Sequence, residues 1–120
     1  MREQAGHLGI VSRAFRSPLL GPFLKRACDL TGMDMALPMN TGAEAVETAL
    51  KAARKWAYQV KGVAADCAEI IVCEGNFHGR TLGAIALSTE PQYREGFGPF
   101  MPGVKVVPFG DANALRSAIT

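Results

Sequence analysis

Apolar residues recur near helical spacing in two long segments of the chain. In residues 17–31 they form one face of an expected α-helix, and Gly32 follows where that helix would end. A second, longer stripe consists of Val46, Ala49, Leu50, Ala53, Trp56, Ala57 and Val60. Glu47 and Lys51 lie four residues apart on the polar side, where we expect an ion pair, and Gly62 is expected to end the helix. The pattern therefore predicts two amphipathic helices.

Uninterrupted apolar runs predict strands. Residues 68–75 (AEIIVCEG) are typical of a buried strand in a parallel sheet that is covered on both faces. Shorter runs predict two further strands, at residues 35–39 and 104–108. Helices are expected between the strands, the one at residues 81–87 short and buried, and Asp111 is placed to cap a last helix. This alternation of strands and helices predicts an α/β fold.

The expected elements are few for a complete α/β domain. Three short strands compare with about five or six in a typical sheet. The final segment, DANALRSAIT, also ends without a glycine stop signal. We therefore expect residues 1–120 to be a fragment of a larger domain, truncated at both ends.

Composition narrows the function classes. The chain is 48% hydrophobic and 20% charged, and its formal net charge of +2 argues against a nucleic-acid or membrane partner. No apolar run approaches the roughly 18 residues of a membrane span, and the N-terminus lacks the features of a signal peptide. Cys28, Cys67 and Cys73 form no CxxC pair, and the two histidines are far apart. Neither a metal site nor a disulfide framework is expected, and reduced thiols favour a cytoplasmic location.

The start of the second helix carries the first candidate site. Thr41 and Glu44 form a capping box, in which the hydroxyl accepts from the Glu44 amide and the carboxylate reaches back. Such a cap needs no ligand. The same geometry, however, offers free amides and the positive end of the helix dipole to a phosphate, and Gly42 allows close backbone approach.

The second candidate is EGNFHGRT, residues 74–81, at the carboxyl end of the central strand. Ligands of open α/β sheets bind outside these strand ends, so this loop and the Thr41 loop should open on the same edge. Phe77 lies among poor core neighbours and suits stacking on a ring. Arg80 suits either a structural ion pair or a substrate carboxylate, and a lone His78 favours a structural or supporting role.

A third motif, GFGPFMPG at residues 96–103, lies in a loop rich in glycine and proline. Its GxGxxM pattern and its prolines do not suit a glycine-rich turn that opens a helix, which excludes a dinucleotide site. An ordered, partly buried loop is the plain interpretation, and a subunit interface is the alternative.

Together these segments resemble the class-III, fold-type-I aminotransferases that depend on pyridoxal phosphate and act on ω-amino groups. The shared segments are, in chain order, LGIVSRAF, LGPFLKRACDLTG, LPMNTGAEAVETALKAARKWAYQVKG, GNFHGRTLGAIALST and GFGPFMPG. NTGAEAVE and NFHGRT identify the class, whereas RKWAYQVKG and GFGPFMPG favour its ornithine-specific branch over the acetylornithine-specific one. The resemblance implies a partial three-layer α/β sandwich. Residues 1–120 would belong to the pyridoxal-phosphate-binding large domain, with the rest of that domain and the small domain missing.

The resemblance also implies roles for individual residues. The amides of Gly42 and Ala43 would hold the cofactor phosphate, with Thr41 as the helix cap. Phe77 would stack on the pyridine ring, and Arg80 would hold a substrate carboxylate. His78 falls in the cofactor site by its position after the stacking ring, where the family often has a bulkier aromatic.

The family places its catalytic lysine, and the acidic residue that keeps the pyridine nitrogen protonated, downstream of the GFGP loop. No residue of this chain is therefore expected to be catalytic, and the fragment alone is expected to be inactive. The full-length homodimer would transfer the δ-amino group of ornithine to 2-oxoglutarate, in arginine catabolism and proline synthesis. An alternative from another class is a non-enzymatic α/β module that binds a phosphorylated ligand at residues 41–43.

Overall fold

The computed structural model describes residues 1–12 and 14–120. The chain divides into two compact units, Met1–Pro38 and Met39–Thr120.

The first unit contains two helices, α1 (Arg2–His7) and α2 (Leu20–Thr31). The sequence pattern did not predict α1. It did predict α2, which begins three residues later than expected and ends at Gly32 in the left-handed conformation, with φ at 70°. The Gly32 amide donates to the Cys28 carbonyl at 2.8 Å, which closes the last turn.

The strand expected at residues 35–39 is not formed, so that prediction is wrong. A strand needs a neighbour to pair with, and within the described residues this segment has no ladder partner. Pro38 also removes one backbone donor. Apolar composition alone was therefore insufficient to define a strand here.

The long helix α3 (Gly42–Gln59) opens the second unit. Of its apolar stripe only Leu50 is buried, and Val46 packs beside it, whereas 56% of Trp56 is exposed. The helix ends before Gly62, which adopts a left-handed conformation in the following turn with φ at 76°. The amphipathic helix is confirmed, and its expected end is corrected by two to three residues.

Two parallel strands, β1 (Ile70–Cys73) and β2 (Val104–Val107), form the sheet of the second unit. Ile70 pairs with Val104 and Cys73 with Val107. Both expected strands are confirmed within a few residues of their predicted bounds, and so is their parallel arrangement.

Three short helices complete the second unit: α4 (Leu82–Ala86), α5 (Pro91–Arg94) and α6 (Ala112–Ala118). As expected, α4 is buried, and Asp111 caps α6 by accepting from the amides of Asn113 and Ala114, each at 2.9 Å. The pattern missed α5, which lies in the segment expected to be a loop.

The core of the second unit joins α3, the sheet and the residue after α4. Leu50, Val72 and Leu87 are buried together, with Val46, Ile70, Met101 and Val104 packed against them. This cluster fixes the positions of the segments that precede and follow it, including both candidate loops. Away from those loops, Lys105 lies 2.7 Å from Glu69, and its hydrogen bond holds the pKa of Glu69 below the ordinary value.

Candidate functional site

The start of α3 is capped as the sequence predicts. Thr41 is extended, with φ at −139° and ψ at 161°, and its hydroxyl accepts from the Glu44 amide at 3.1 Å. The Glu44 carboxylate accepts from the Asn40 amide at 2.9 Å, one residue further back than in a simple capping box. Side chains of this segment therefore satisfy two amides and fix the entry into the helix.

The next two amides, those of Gly42 and Ala43, have no hydrogen-bond partner among the residues that the structure describes. A Cβ added to Gly42 would meet no heavy atom within 4 Å, so the space beside it is open. Free amides at the N-terminus of an 18-residue helix favour a negatively charged ligand. The helix start therefore suits a phosphate group.

The loop after β1 turns sharply and is held at both ends. Gly75 adopts a left-handed conformation, with φ at 71°, and its amide donates to the Thr89 hydroxyl at 2.9 Å. The Asn76 side-chain amide donates to the carbonyls of Cys73 at 2.7 Å and of Leu87 at 2.8 Å. These bonds tie the end of β1 to the end of α4 and leave the Phe77 ring 62% exposed.

The two candidate loops meet around one surface cavity of about 710 Å³. It is lined by Ala43, Phe77, Gly79, Arg80, Thr81 and Tyr93. Gly79 lies beside Ala43, since a Cβ there would be in ordinary contact with the Ala43 Cβ at 3.5 Å, and its φ of 129° favours glycine. One end of a helix, an aromatic face and a guanidinium therefore share a space large enough for a small molecule.

Not every predicted site residue lines this cavity. Thr41 and Gly42 do not line it, although they directly precede Ala43 in the chain. His78 lines a second cavity of about 700 Å³ at the end of β1, together with Glu74 and Phe109. Phe77 lies between the two cavities and lines both.

Tyr93 is a member of the site that the sequence analysis missed. Its ring centroid lies 5.8 Å from that of Phe77, with an interplanar angle of 71°. The signal was present, since Pro91 occupies the first turn of α5, a position that proline favours. A helix there places Tyr93 two residues after its start, beside the loop of Phe77.

Arg80 is exposed and forms no ion pair or side-chain hydrogen bond within the described part of the chain. Its guanidinium is therefore available to a carboxylate in the cavity. The structural ion pair considered as the alternative is not formed among the described residues.

Glu47 does not pair with Lys51, so that expectation is wrong. Its carboxylate instead accepts a hydrogen bond from the Thr81 hydroxyl, next to Arg80. The contact gives the half-buried Glu47 a partner on another segment, and Lys51 is exposed.

Residues 1–12 and 14–120 contain neither a metal-binding cluster nor a membrane-spanning helix. No cluster of three or more His, Cys, Asp or Glu residues there could hold a metal ion. None of the helices described is both long and apolar enough to span a bilayer.

The family Aminotransferase class-III matches residues 1–118, and the chain belongs to that family. It is 59% identical over 120 residues to the ornithine aminotransferase of Geobacillus sp. (strain WCH70), covering 100% of this chain and 30% of that protein.

Solved structures agree with this assignment. The ornithine aminotransferase of Toxoplasma gondii ME49 matches with a TM-score of 0.90 and 44% identity, over 98% of this chain and 28% of that one. A second Toxoplasma gondii structure contains PLP at partial occupancy in its active site. The acetylornithine aminotransferase of Elizabethkingia anophelis matches with a TM-score of 0.69 and 50% identity, over 97% and 27% of the two chains.

The expected fold-type-I α/β fold is thereby confirmed. The chain spans 30% of the length of the curated relatives it matches.

Proposed function

We propose that these residues belong to a pyridoxal-phosphate-dependent ornithine aminotransferase. The enzyme transfers the δ-amino group of L-ornithine to 2-oxoglutarate, giving glutamate 5-semialdehyde and glutamate. The cavity shared by Ala43, Phe77 and Arg80 carries the proposal, because it combines an anion-binding helix start, an aromatic face and a carboxylate-binding group. The 59% identity to an ornithine aminotransferase supports the choice of substrate.

The residues at the cavity fit the cofactor. The unpartnered amides of Gly42 and Ala43 would hold its phosphate, and the Thr41 cap would fix their direction. The exposed ring of Phe77 offers a flat apolar face to the pyridine ring. The cofactor supplies the electron sink and the amino-group carrier that side chains lack.

Arg80 would recognise the substrate. Its planar guanidinium can form a bidentate pair with a carboxylate, and both the amino donor and the 2-oxo acid carry one. Such a pair orients the substrate and also strengthens its binding. His78, which faces the second cavity, is proposed to support the far side of the cofactor site.

By the family resemblance, residues 1–120 form part of the cofactor-binding large domain of a longer chain. The lysine that binds the cofactor covalently would lie in the remaining part, as would the acidic partner of the pyridine nitrogen. We accordingly propose that the 120 residues alone have no transaminase activity. A homodimer, a cytoplasmic location and roles in arginine catabolism and proline synthesis belong to the same proposal.

The proposal is tested by measuring kcat/KM for different amino donors with the full-length protein. With 2-oxoglutarate as acceptor, ornithine is expected to give a higher kcat/KM than N-acetylornithine, and omitting pyridoxal phosphate from the stripped protein should abolish turnover. Preference for N-acetylornithine would support an acetylornithine aminotransferase instead. That alternative is favoured by the 50% identity to the Elizabethkingia anophelis enzyme.

A non-enzymatic module that binds a phosphorylated ligand remains the candidate from another class. It uses the same free amides at Gly42 and Ala43. Binding of pyridoxal phosphate without turnover of any amino donor would favour the module and overturn the enzyme.

A further inference from the structure

The contact between Glu47 and Thr81 joins two segments that are distant in sequence. Glu47 lies in the second turn of α3, and Thr81 immediately precedes α4. The Thr81 hydroxyl donates to Glu47 Oε1 and also accepts from the Ala84 amide at 3.2 Å, so it serves both segments.

Gly83 makes room for the carboxylate. A Cβ at Gly83 would lie 2.5 Å from Glu47 Oε1 and 2.7 Å from Oε2, so a larger residue there would displace the carboxylate from its present position. The Glu47 carboxylate therefore fits into a space that a glycine provides, while Glu47 itself is only partly exposed. The contact lies at the surface, because Thr81 is exposed, and the Thr81 hydroxyl is oriented by its second bond to the Ala84 amide.

The contact lies directly behind the candidate site. Ala43, one turn before Glu47 on α3, lines the cavity, as do Arg80 and Thr81. Gly79 lies beside Ala43, since a Cβ built on Gly79 would be 3.5 Å from the Ala43 Cβ. Glu47 supplies a polar contact between the helix start and the Arg80 loop, through Thr81.

We propose that Glu47 is a positioning residue: through Thr81 it holds the Arg80 loop at a fixed distance from the anion-binding start of α3. This inference rests on the proposed function, since it assigns a purpose to that distance. The start of α3 and Arg80 would contact different parts of the bound molecules, so loosening the link should weaken both interactions together. A charge-assisted hydrogen bond that joins two segments of the chain is strong enough to have this effect.

The experiment uses full-length protein with Glu47→Ala, Thr81→Val and both changes combined. Glu47→Ala is expected to raise the dissociation constant of pyridoxal phosphate and the KM for 2-oxoglutarate, each by about tenfold, with a smaller change in kcat. In a double-mutant cycle the two constants of the combined variant should be no higher than those of the more impaired single variant, because the two groups act as one contact. Thr81→Ser keeps the hydroxyl and should restore both constants to near the parent values.

Lys51→Ala is the matched control, because Lys51 lies one turn further along the polar side of α3 and is exposed. It should leave both constants unchanged. If Glu47→Ala does not fold, Glu47→Asp keeps the charge but shortens the reach, and it should raise the same two constants.

Additive effects in the cycle, or unchanged constants in a folded Glu47 variant, would overturn the inference. Failure of the parent protein to bind pyridoxal phosphate or to turn over any amino donor would instead overturn the proposed function. The two failures are therefore distinguishable.

Discussion

The rings of Phe77 and Tyr93 meet edge to face, with their centroids 5.8 Å apart. Phe77 follows β1, and Tyr93 lies on α5, a helix that the structure adds to the expected loop. Because an edge-to-face pair restricts both rings, Tyr93 limits the orientations available to the exposed ring of Phe77. The ring that we assign to the cofactor is thus supported from the side by a second aromatic.

Tyr93→Ala in full-length protein tests this support. Aromatic pairs contribute about 0.5–1.5 kcal/mol beyond area burial, so cofactor affinity should fall by about three- to tenfold. Tyr93→Phe keeps the ring and should bind pyridoxal phosphate like the parent. Equal affinity in the alanine variant, measured by titration with pyridoxal phosphate, would show that Phe77 needs no partner.

Phe77→Ala should be the more severe change, because it removes the stacking face itself. Cofactor affinity should fall and the absorbance band of the bound cofactor should shift. Trp56→Ala is a suitable control, since Trp56 is also an exposed aromatic and lines neither of the two cavities. If the two variants bind alike and share the parent spectrum, Phe77 is not part of the site.

Gly42→Val tests the phosphate site without damaging the helix behind it. A Cβ at Gly42 would meet nothing within 4 Å, so the space beside the helix start is open to a larger side chain. It would obstruct a phosphate approaching the free amides, and affinity for pyridoxal phosphate should fall by about tenfold or more. The melting temperature should stay close to that of the parent. Unchanged affinity would place the phosphate elsewhere.

The caps and the parallel arrangement of the two strands could be predicted from sequence, whereas individual contacts between distant residues could not. The caps by Thr41 and Asp111 were predicted because the side chain and the amide it binds are only two or three residues apart. The bond between Glu47 and Thr81 spans 34 positions, and nothing in the helical pattern indicates it. Residues 35–39 illustrate the same limit for strands, because pairing depends on a distant partner.

The site was predictable to a similar degree. Ala43 and Arg80 line one cavity, as the sequence analysis expected. The strand that was expected to precede Ala43 is not formed, so the rule that ligands bind at the carboxyl ends of parallel strands explains the position of the Arg80 loop only. The rule could not predict that Phe77 lines the first cavity and His78 does not, since the directions of adjacent side chains in an irregular loop depend on the whole fold. Nor could it include Tyr93, whose place in the cavity depends on where α5 packs.

Arg80→Lys distinguishes substrate binding from a structural role. The lysine keeps the positive charge but loses the planar fork, so the KM for 2-oxoglutarate and for ornithine should rise by about tenfold. Cofactor affinity and melting temperature should change little, because Arg80 forms no bond within the described part of the chain. A lower melting temperature with unchanged KM values would contradict the assignment.

Arg94 is the residue whose loss should most affect stability around the site. One guanidinium nitrogen lies within hydrogen-bonding distance of the carbonyls of Ile85 (3.2 Å), Ala86 (3.0 Å) and Ser88 (2.9 Å). Its guanidinium carbon lies 3.9 Å from the centroid of the Phe100 ring. Arg94 thus joins the end of α4 to α5 and to the GFGPFMPG loop at once.

Arg94→Lys retains the charge but can neither stack as a plane nor reach three carbonyls in the same way. We expect the free energy of unfolding of the full-length protein to fall by about 1–3 kcal/mol, from lost charge-assisted hydrogen bonds and cation–π contact. Arg116→Lys is the control, because Arg116 is exposed and bonds only to Asn113 within its own helix, and its cost should be a few tenths of a kcal/mol. Denaturant unfolding of the two variants measures the difference. Equal losses would mean that Arg94 does not join these segments, and the position of Tyr93 beside Phe77 would then depend on the packing of α5 alone.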